Sequence, residues 1–171
     1  MIFVYKLFFL IGASGSGKTT IAKILESRLK NFQICYFDSI GVPSNEKMIE
    51  EFGSIEKWQL KKTIEWTKRI RNDLLPAGNV ILDVQTRPLF IEKSCKKAGI
   101  KEFEIILFDC SDEVRKQRLM DRGNPELAND RMMNWSRLLR EESQAGNYKV
   151  LDTSDLSIEQ SVSNFISLIF F

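Results

Sequence analysis

Residues Gly12-Ala13-Ser14-Gly15-Ser16-Gly17-Lys18-Thr19 follow the spacing G-x-x-x-x-G-K-[ST], between an apolar run at Leu7 to Ile11 and a helix-patterned segment at Thr20 to Lys30. This pattern leaves few folds open. Glycines let a backbone curl so that successive N–H groups point inward, and a helix starting directly after the curl adds the positive end of its dipole. Such a concavity binds anions, and at a strand-to-helix junction the motif reads as a phosphate-binding loop. Lys18 would reach the β- and γ-phosphates of a nucleoside triphosphate, and the Thr19 hydroxyl would ligate Mg²⁺.

The flanking pattern repeats along the chain. Leu7 to Ile11 is apolar on both faces, as a central parallel strand must be. The segment from Thr20 sets Ile21, Ile24, Leu25 and Leu29 against Lys23, Glu26, Arg28 and Lys30, the two sides of an amphipathic helix. Gln33 to Phe37 predicts a second strand ending at Asp38, with Gly41 and Pro43 stopping regular structure. Ser44 to Asn79 predicts helices capped by Ser44 and Ser54, divided at Gly53 and closed by Pro76-Ala77-Gly78. Asn79 to Asp83 and Phe103 to Phe108 predict two more strands, separated by a helix from Leu89 to Ala98 that stops at Gly99. Ser111 caps a helix reaching Arg122, a polar link covers Gly123 to Asp130, and a helix follows from Arg131 to Ser143. A last strand at Lys149 to Leu151 precedes a helix opened by the capping box of Ser157 and Gln160. Alternating strands and helices predict an α/β fold with a parallel sheet covered on both faces.

Composition narrows the function classes. A chain of 171 residues predicts one domain, burying roughly 70% of its unfolded surface. Lys and Arg total 25 against 23 Asp and Glu, so no global field draws a polyanion. The absence of histidine excludes His-based triads and His metal sites, and three scattered cysteines fit reduced thiols rather than a disulfide framework. The apolar N-terminus has no basic lead, is interrupted by Lys6, and could not be cleaved near Ala13 without destroying the loop. No other run approaches the roughly 20 apolar residues of a membrane span. A soluble, cytoplasmic protein is expected, with no membrane partner.

Ligands of open parallel sheets sit outside the strands' carboxyl ends. The loop, Asp38, Asp83 to Arg87 and the segment after Asp109 should therefore meet along one edge. Asp83 closes an apolar strand, as an acid holding the Mg²⁺ shell with Thr19 does. Asp38 is placed to take a proton from an attacking hydroxyl or to fix its position. Arg115, Arg118, Arg122, Arg131, Arg137 and Arg140 enrich the segment that follows, and Arg118 and Arg122 share a helix face at i,i+4. Trp58 and Trp66, at helical spacing, should pack or line a groove.

With these residues the chain resembles the P-loop small-molecule and nucleotide kinases, which include adenylate, shikimate and gluconate kinases. The resemblance implies a three-layer α/β/α P-loop NTPase fold, a roughly five-stranded sheet in the order 2-3-1-4-5, and ATP with Mg²⁺ as cofactors. It also implies a helical acceptor-binding insert at about 39–78 and a short lid at about 123–131. Asp83-Val84-Gln85-Thr86-Arg87 keeps the acid and arginine of the adenylate kinase Asp-Gly-Phe-Pro-Arg segment, whose arginine grips an acceptor phosphate, but lacks its Gly, Phe and Pro. Arg118-Leu119-Met120-Asp121-Arg122 resembles the Arg-Leu-x-x-Arg pair ahead of the kinase lid, where one arginine contacts adenine or donor phosphates.

Carried onto this chain, the cofactor would be bound by Gly12, Ala13, Ser14, Gly15, Ser16, Gly17, Lys18, Thr19, Thr20, Arg118 and Thr153. The metal would lie at Thr19 and Asp83, and the acceptor at Asp38 and Arg87. Lys18, Asp38, Arg122 and Arg131 would carry catalysis, Arg131 entering as the lid closes. The expected partner is a small-molecule phosphate acceptor, and the protein itself a monomer or homodimer. Acceptors bearing a phosphate favour Arg87, and hydroxyl-only acceptors favour Asp38. Nucleic acid as acceptor rests only on Lys61, Lys62, Lys68, Arg69 and Arg71. The alternative function is a nucleotide switch or regulatory ATPase without an acceptor.

Overall fold

Alternate residues of the first strand, β1 (Leu7–Ile11), go to opposite faces of one sheet, and all five are buried. Leu7, Phe9 and Ile11 enter one core with Val80, Leu82, Ile105 and Leu107, whereas Phe8 and Leu10 enter a second core with Ile81, Ile106 and Phe108. Each fully buried side chain of this kind stabilises the fold by about 1.5–3 kcal/mol relative to exposure, so the strand's double burial ties both layers together. The computed structural model describes residues 5–170. Residues 1–4 of the apolar N-terminal run, and Phe171, lie outside them.

Helix α1 (Lys18–Arg28) follows the loop and leads to β2 (Phe32–Tyr36), one residue earlier than the sequence pattern implied. A short 3₁₀ turn over Phe37–Ile40 carries Asp38. Helices α2 (Asn45–Phe52) and α3 (Ile55–Arg69) come next, each with its serine cap: Ser44 Oγ accepts from Lys47 N at 3.4 Å and Ser54 Oγ from Lys57 N at 3.1 Å. Beyond α3 the chain widens into a π-type turn over Ile70–Leu74, which no residue pattern announced. The remaining strands and α-helices are β3 (Asn79–Asp83), α4 (Pro88–Ala98), β4 (Glu104–Asp109), α5 (Asp112–Asp121), α6 (Asp130–Ala145), β5 (Lys149–Asp152) and α7 (Ile158–Phe170). The capping box before α7 is formed, with Ser157 N donating to Gln160 Oε1 at 2.9 Å and Gln160 N to Ser157 Oγ at 3.2 Å.

The five strands form one parallel sheet in the order β2-β3-β1-β4-β5. Residues of α1 and α7, including Leu25 and Phe165, cover one face; residues of α3, α4 and α6, including Trp66, Ile91 and Leu139, cover the other. This is the three-layer α/β/α arrangement expected from the sequence. Because all strands run the same way, β1, β2, β3 and β4 end together, and the segments that leave them build the site.

Candidate active site

Chain reversal at the end of β1 requires two glycines for different reasons. A Cβ on Gly12 would stand 2.6 Å from the Phe108 carbonyl oxygen, so the loop approaches β4 more closely than a side chain permits. Gly15 has φ +83°, and a Cβ there would meet Arg115 Cγ at 3.0 Å. The loop from Gly12 to Thr20 lines a cavity of about 360 Å³ together with Tyr36, Phe37, Asp38, Asp83, Gln85 and Arg122. Of the four segments predicted to meet, the loop, Asp38 and the segment after β3 line this cavity, whereas Asp109, Cys110 and Ser111 line a separate one.

At the floor of this cavity the buried Asp83 carboxylate takes two donors. Lys18 Nζ pairs with Oδ1, and Thr19 Oγ1 donates to Oδ2 at 2.7 Å. A hydroxyl and a carboxylate at the N-terminus of α1 are the hard oxygen donors that Mg²⁺ selects, so the residues present fit that ion beside a bound triphosphate. Ser16 Oγ, inside the loop, is buried with no hydrogen-bond partner among the described residues.

Asp38 projects from the 3₁₀ turn after β2. Its pKa is raised, first by loss of solvation, with Lys18 opposing and the Asp83 carboxylate adding to the rise. Asp38 lines the phosphate cavity and also a larger cavity of about 680 Å³. The larger cavity lies between the α2–α3 segment, which contributes Met48 and Trp58, and the link after α5 together with α6, which contribute Leu127, Arg131 and Trp135.

The arginines part company. Arg122, at the end of α5, lines the phosphate cavity and a third cavity of about 240 Å³ beside it, bordered by Arg118, Thr153, Leu156 and Ile158. Arg118 is anchored within that wall: Nη1 donates to Thr153 Oγ1 at 2.9 Å and Nη2 to the Thr153 carbonyl at 2.7 Å. The Thr153 hydroxyl also lies 3.1 Å from the Ser16 carbonyl, so this pair buttresses the loop. Arg131 lines the larger cavity and not the phosphate cavity. Arg87 lines none of the three. Its Nε donates to Glu142 Oε1 at 2.8 Å, its Nη1 reaches Glu56 at 3.4 Å, and the guanidinium stacks 5.4 Å from the Phe90 ring centroid.

One residue that sequence reasoning left without a role stands behind the loop. Arg115 is fully buried; it donates to Asp109 Oδ1 at 2.7 Å, to the Ser14 carbonyl at 3.1 Å and to the Cys110 carbonyl at 3.2 Å. Arg140 completes Asp109 from α6 at 2.5 Å. Loop amides can face a phosphate only if the loop carbonyls on the other side are satisfied, and Arg115 satisfies one of them. Its signal was its place on the first turns of α5, one helical turn before Arg118. Three basic residues of α3 have local partners: Lys62 pairs with Glu65, Lys61 lies over Phe52, and Arg69 over Trp66.

A glycine-rich loop between β1 and α1, an acid at the end of β3, and the sheet order 2-3-1-4-5 define a P-loop NTPase with a kinase-like fold. The chain belongs to the family described as an AAA domain, whose match spans residues 9–142. Curated proteins give no match. Among solved structures, a protein designated APE1195 superposes with a TM-score of 0.64 at 21% identity, over 99% of this chain and 97% of the other. A sugar kinase from Janibacter sp. gives a TM-score of 0.68 at 16% identity, over 96% and 94% of the two chains. Thymidylate kinase from Candida albicans gives 0.66 at 16% identity, over 95% and 90%. At such identities the likeness is one of fold. No described helix is long and apolar enough to cross a membrane.

Proposed function

We propose that the chain is an ATP-dependent phosphotransferase that moves the ATP γ-phosphate to a hydroxyl group of a small molecule. The observation that carries this reading is the position of Asp38, whose residue borders both the phosphate cavity and the 680 Å³ cavity. A carboxylate between a phosphate site and a second, mostly apolar cavity is where an acceptor hydroxyl has to be held. A nucleotide switch has no use for that second cavity.

In this reading the loop amides and the N-terminus of α1 hold the triphosphate, and Lys18 exchanges Asp83 for phosphate oxygens. Thr19 and Asp83 would hold Mg²⁺, which when bound neutralises charge on the β- and γ-phosphates. Asp38 orients or deprotonates the acceptor hydroxyl, and partial loss of solvation at this solvent-reachable position raises its basicity above that of an unperturbed carboxylate. Arg122 contacts the donor phosphates from the mouth of the cavity, with Arg118 and Thr153 on the nucleoside side. Residues 39–78 form the acceptor-binding insert, and 123–131 form a short lid that brings Arg131 over the acceptor. Phosphoryl transfer asks a protein mainly for positioning and charge stabilisation, and these groups supply both.

An ATP-consumption screen across nucleosides, nucleotides, sugars and antibiotics tests the reading, with acceptor-free turnover as the control. Acceptor-dependent ADP release together with a phosphorylated acceptor supports it. Turnover that no acceptor stimulates would replace it with the switch.

A further inference from the structure

The class of acceptor follows from what the larger cavity presents, on the reading that this cavity is the acceptor site. Its ionisable lining consists of two carboxylates, Asp38 and Glu56, and one guanidinium, Arg131. A phosphomonoester carries about −1.5 to −2 charges at neutral pH and is recognised by clustered or bidentate arginines. Arg87, the second cation that a phosphorylated acceptor would require, points its donors at Glu142 and Glu56 instead. With Glu56 paired to Arg87 at 3.4 Å, a dianion in this cavity would meet a single guanidinium, Arg131, set against the Asp38 carboxylate.

The remaining walls are aromatic and aliphatic. Trp58 from α3 and Trp135 from α6 both line the cavity, with Met48 and Met132 beside them. Large apolar rings of this kind gain most from a planar partner, which adds stacking to area burial. The indole Nε1–H of Trp135 is buried and finds no acceptor among the described residues, a deficit that a ligand oxygen reaching it would relieve. Asp38 stands at the end of the cavity nearest the phosphate loop, where it can accept from a ligand hydroxyl.

We infer that the acceptor is a phosphate-free alcohol with a planar, uncharged ring system, seated between Trp58 and Trp135 with its hydroxyl toward Asp38. A phosphorylated metabolite is the product of this site and not its substrate.

The test compares matched pairs that differ only in a phosphate: thymidine and thymidine 5′-monophosphate, riboflavin and flavin mononucleotide, pyridoxine and pyridoxine 5′-phosphate. Binding to the full chain is measured by calorimetry without ATP, so the outcome does not depend on catalysis. At least one phosphate-free member should bind ten times or more tighter than its phosphorylated form. Trp135→Ala and Asp38→Asn should each weaken that binding at least fivefold, while circular dichroism and thermal unfolding report retained folding. Failure of every phosphate-free member to bind, tighter binding of the phosphorylated members, or binding indifferent to both substitutions overturns the inference. Adding MgATP then separates the two claims. A bound alcohol that is not phosphorylated sinks the kinase reading and leaves only the ligand class of the cavity standing, whereas transfer to a phosphorylated member upholds the kinase reading and overturns the acceptor class.

Discussion

Arg115 and Asp109 form an ion pair at 2.7 Å with the arginine fully buried, and the same guanidinium donates to the Ser14 carbonyl of the phosphate loop. The pair joins β4, α5 and the loop in one hydrogen-bonded unit. Arg115→Met removes the donors and leaves a buried carboxylate with Arg140 as its remaining charged partner. We expect a loss of about 3–5 kcal/mol in unfolding free energy, the range found when one member of a buried pair is deleted. Urea unfolding checks it, and a loss below 1 kcal/mol would mean that the loop does not depend on this brace.

Lys18→Ala should abolish phosphoryl transfer and weaken nucleotide binding strongly. It also strands the Asp83 carboxylate, whose remaining donor is Thr19 at 2.7 Å, so a stability cost of about 1–3 kcal/mol accompanies the kinetic loss. Retained turnover in a folded variant would remove Lys18 from the reaction. Far-ultraviolet circular dichroism and an ADP-release assay on the same sample read both.

Asp38 remains exposed to solvent, yet its pKa is raised above the usual carboxylate value, chiefly by partial loss of solvation. Only the ionised form can accept a proton, so transfer should fall as pH drops through this raised pKa, at a higher pH than an unperturbed aspartate would give. The stability effect has the opposite sense. Between the unfolded and folded pKa values the native state holds the extra proton, so Asp38 weakens the fold as pH rises through the raised value. Asp38→Asn should therefore flatten the acid limb of the rate profile, cut transfer far more than ATP binding, and raise thermal stability at neutral pH. Equal loss of transfer and ATP binding would indicate a structural role instead.

Gly15→Ala places a Cβ at φ +83° and 3.0 Å from Arg115 Cγ. The left-handed backbone alone costs an ordinary residue about 1–2 kcal/mol, and the contact adds to it. Since the loop can relieve the strain only by turning its amides, nucleotide affinity should fall by at least tenfold. Titration with a fluorescent ATP analogue measures it, with thermal unfolding as the control for folding.

Much of the architecture was legible before any tertiary contact was known. Ser44, Ser54, Ser111 and Ser157 cap the helices they precede, and Asn79 to Asp83 is a strand with the bounds its residues implied. These features depend on hydrogen bonds and side-chain periods that span three or four residues. The π-type turn at Ile70–Leu74 left no such trace, because its residues suit an α-helix equally well and packing decides the difference. Trp58 and Trp66 show the same limit. Both are buried, yet Trp58 lines the larger cavity whereas Trp66 donates to the Phe37 carbonyl from the core.

The sequence by itself determined the loop from Gly12 to Thr19, the acids just after β2 and at the end of β3, and the alternation that makes the sheet parallel. Each is written in neighbouring residues. Tertiary structure alone decided what the arginines do. Arg87 is neutralised by Glu142, 55 positions away, Arg118 is fastened to Thr153, 35 positions away, and Arg122 is left facing the phosphate cavity. A guanidinium reads the same in any sequence. Its partner is set by which carboxylate or carbonyl the fold brings within 3 Å, and burial then makes that choice costly to change.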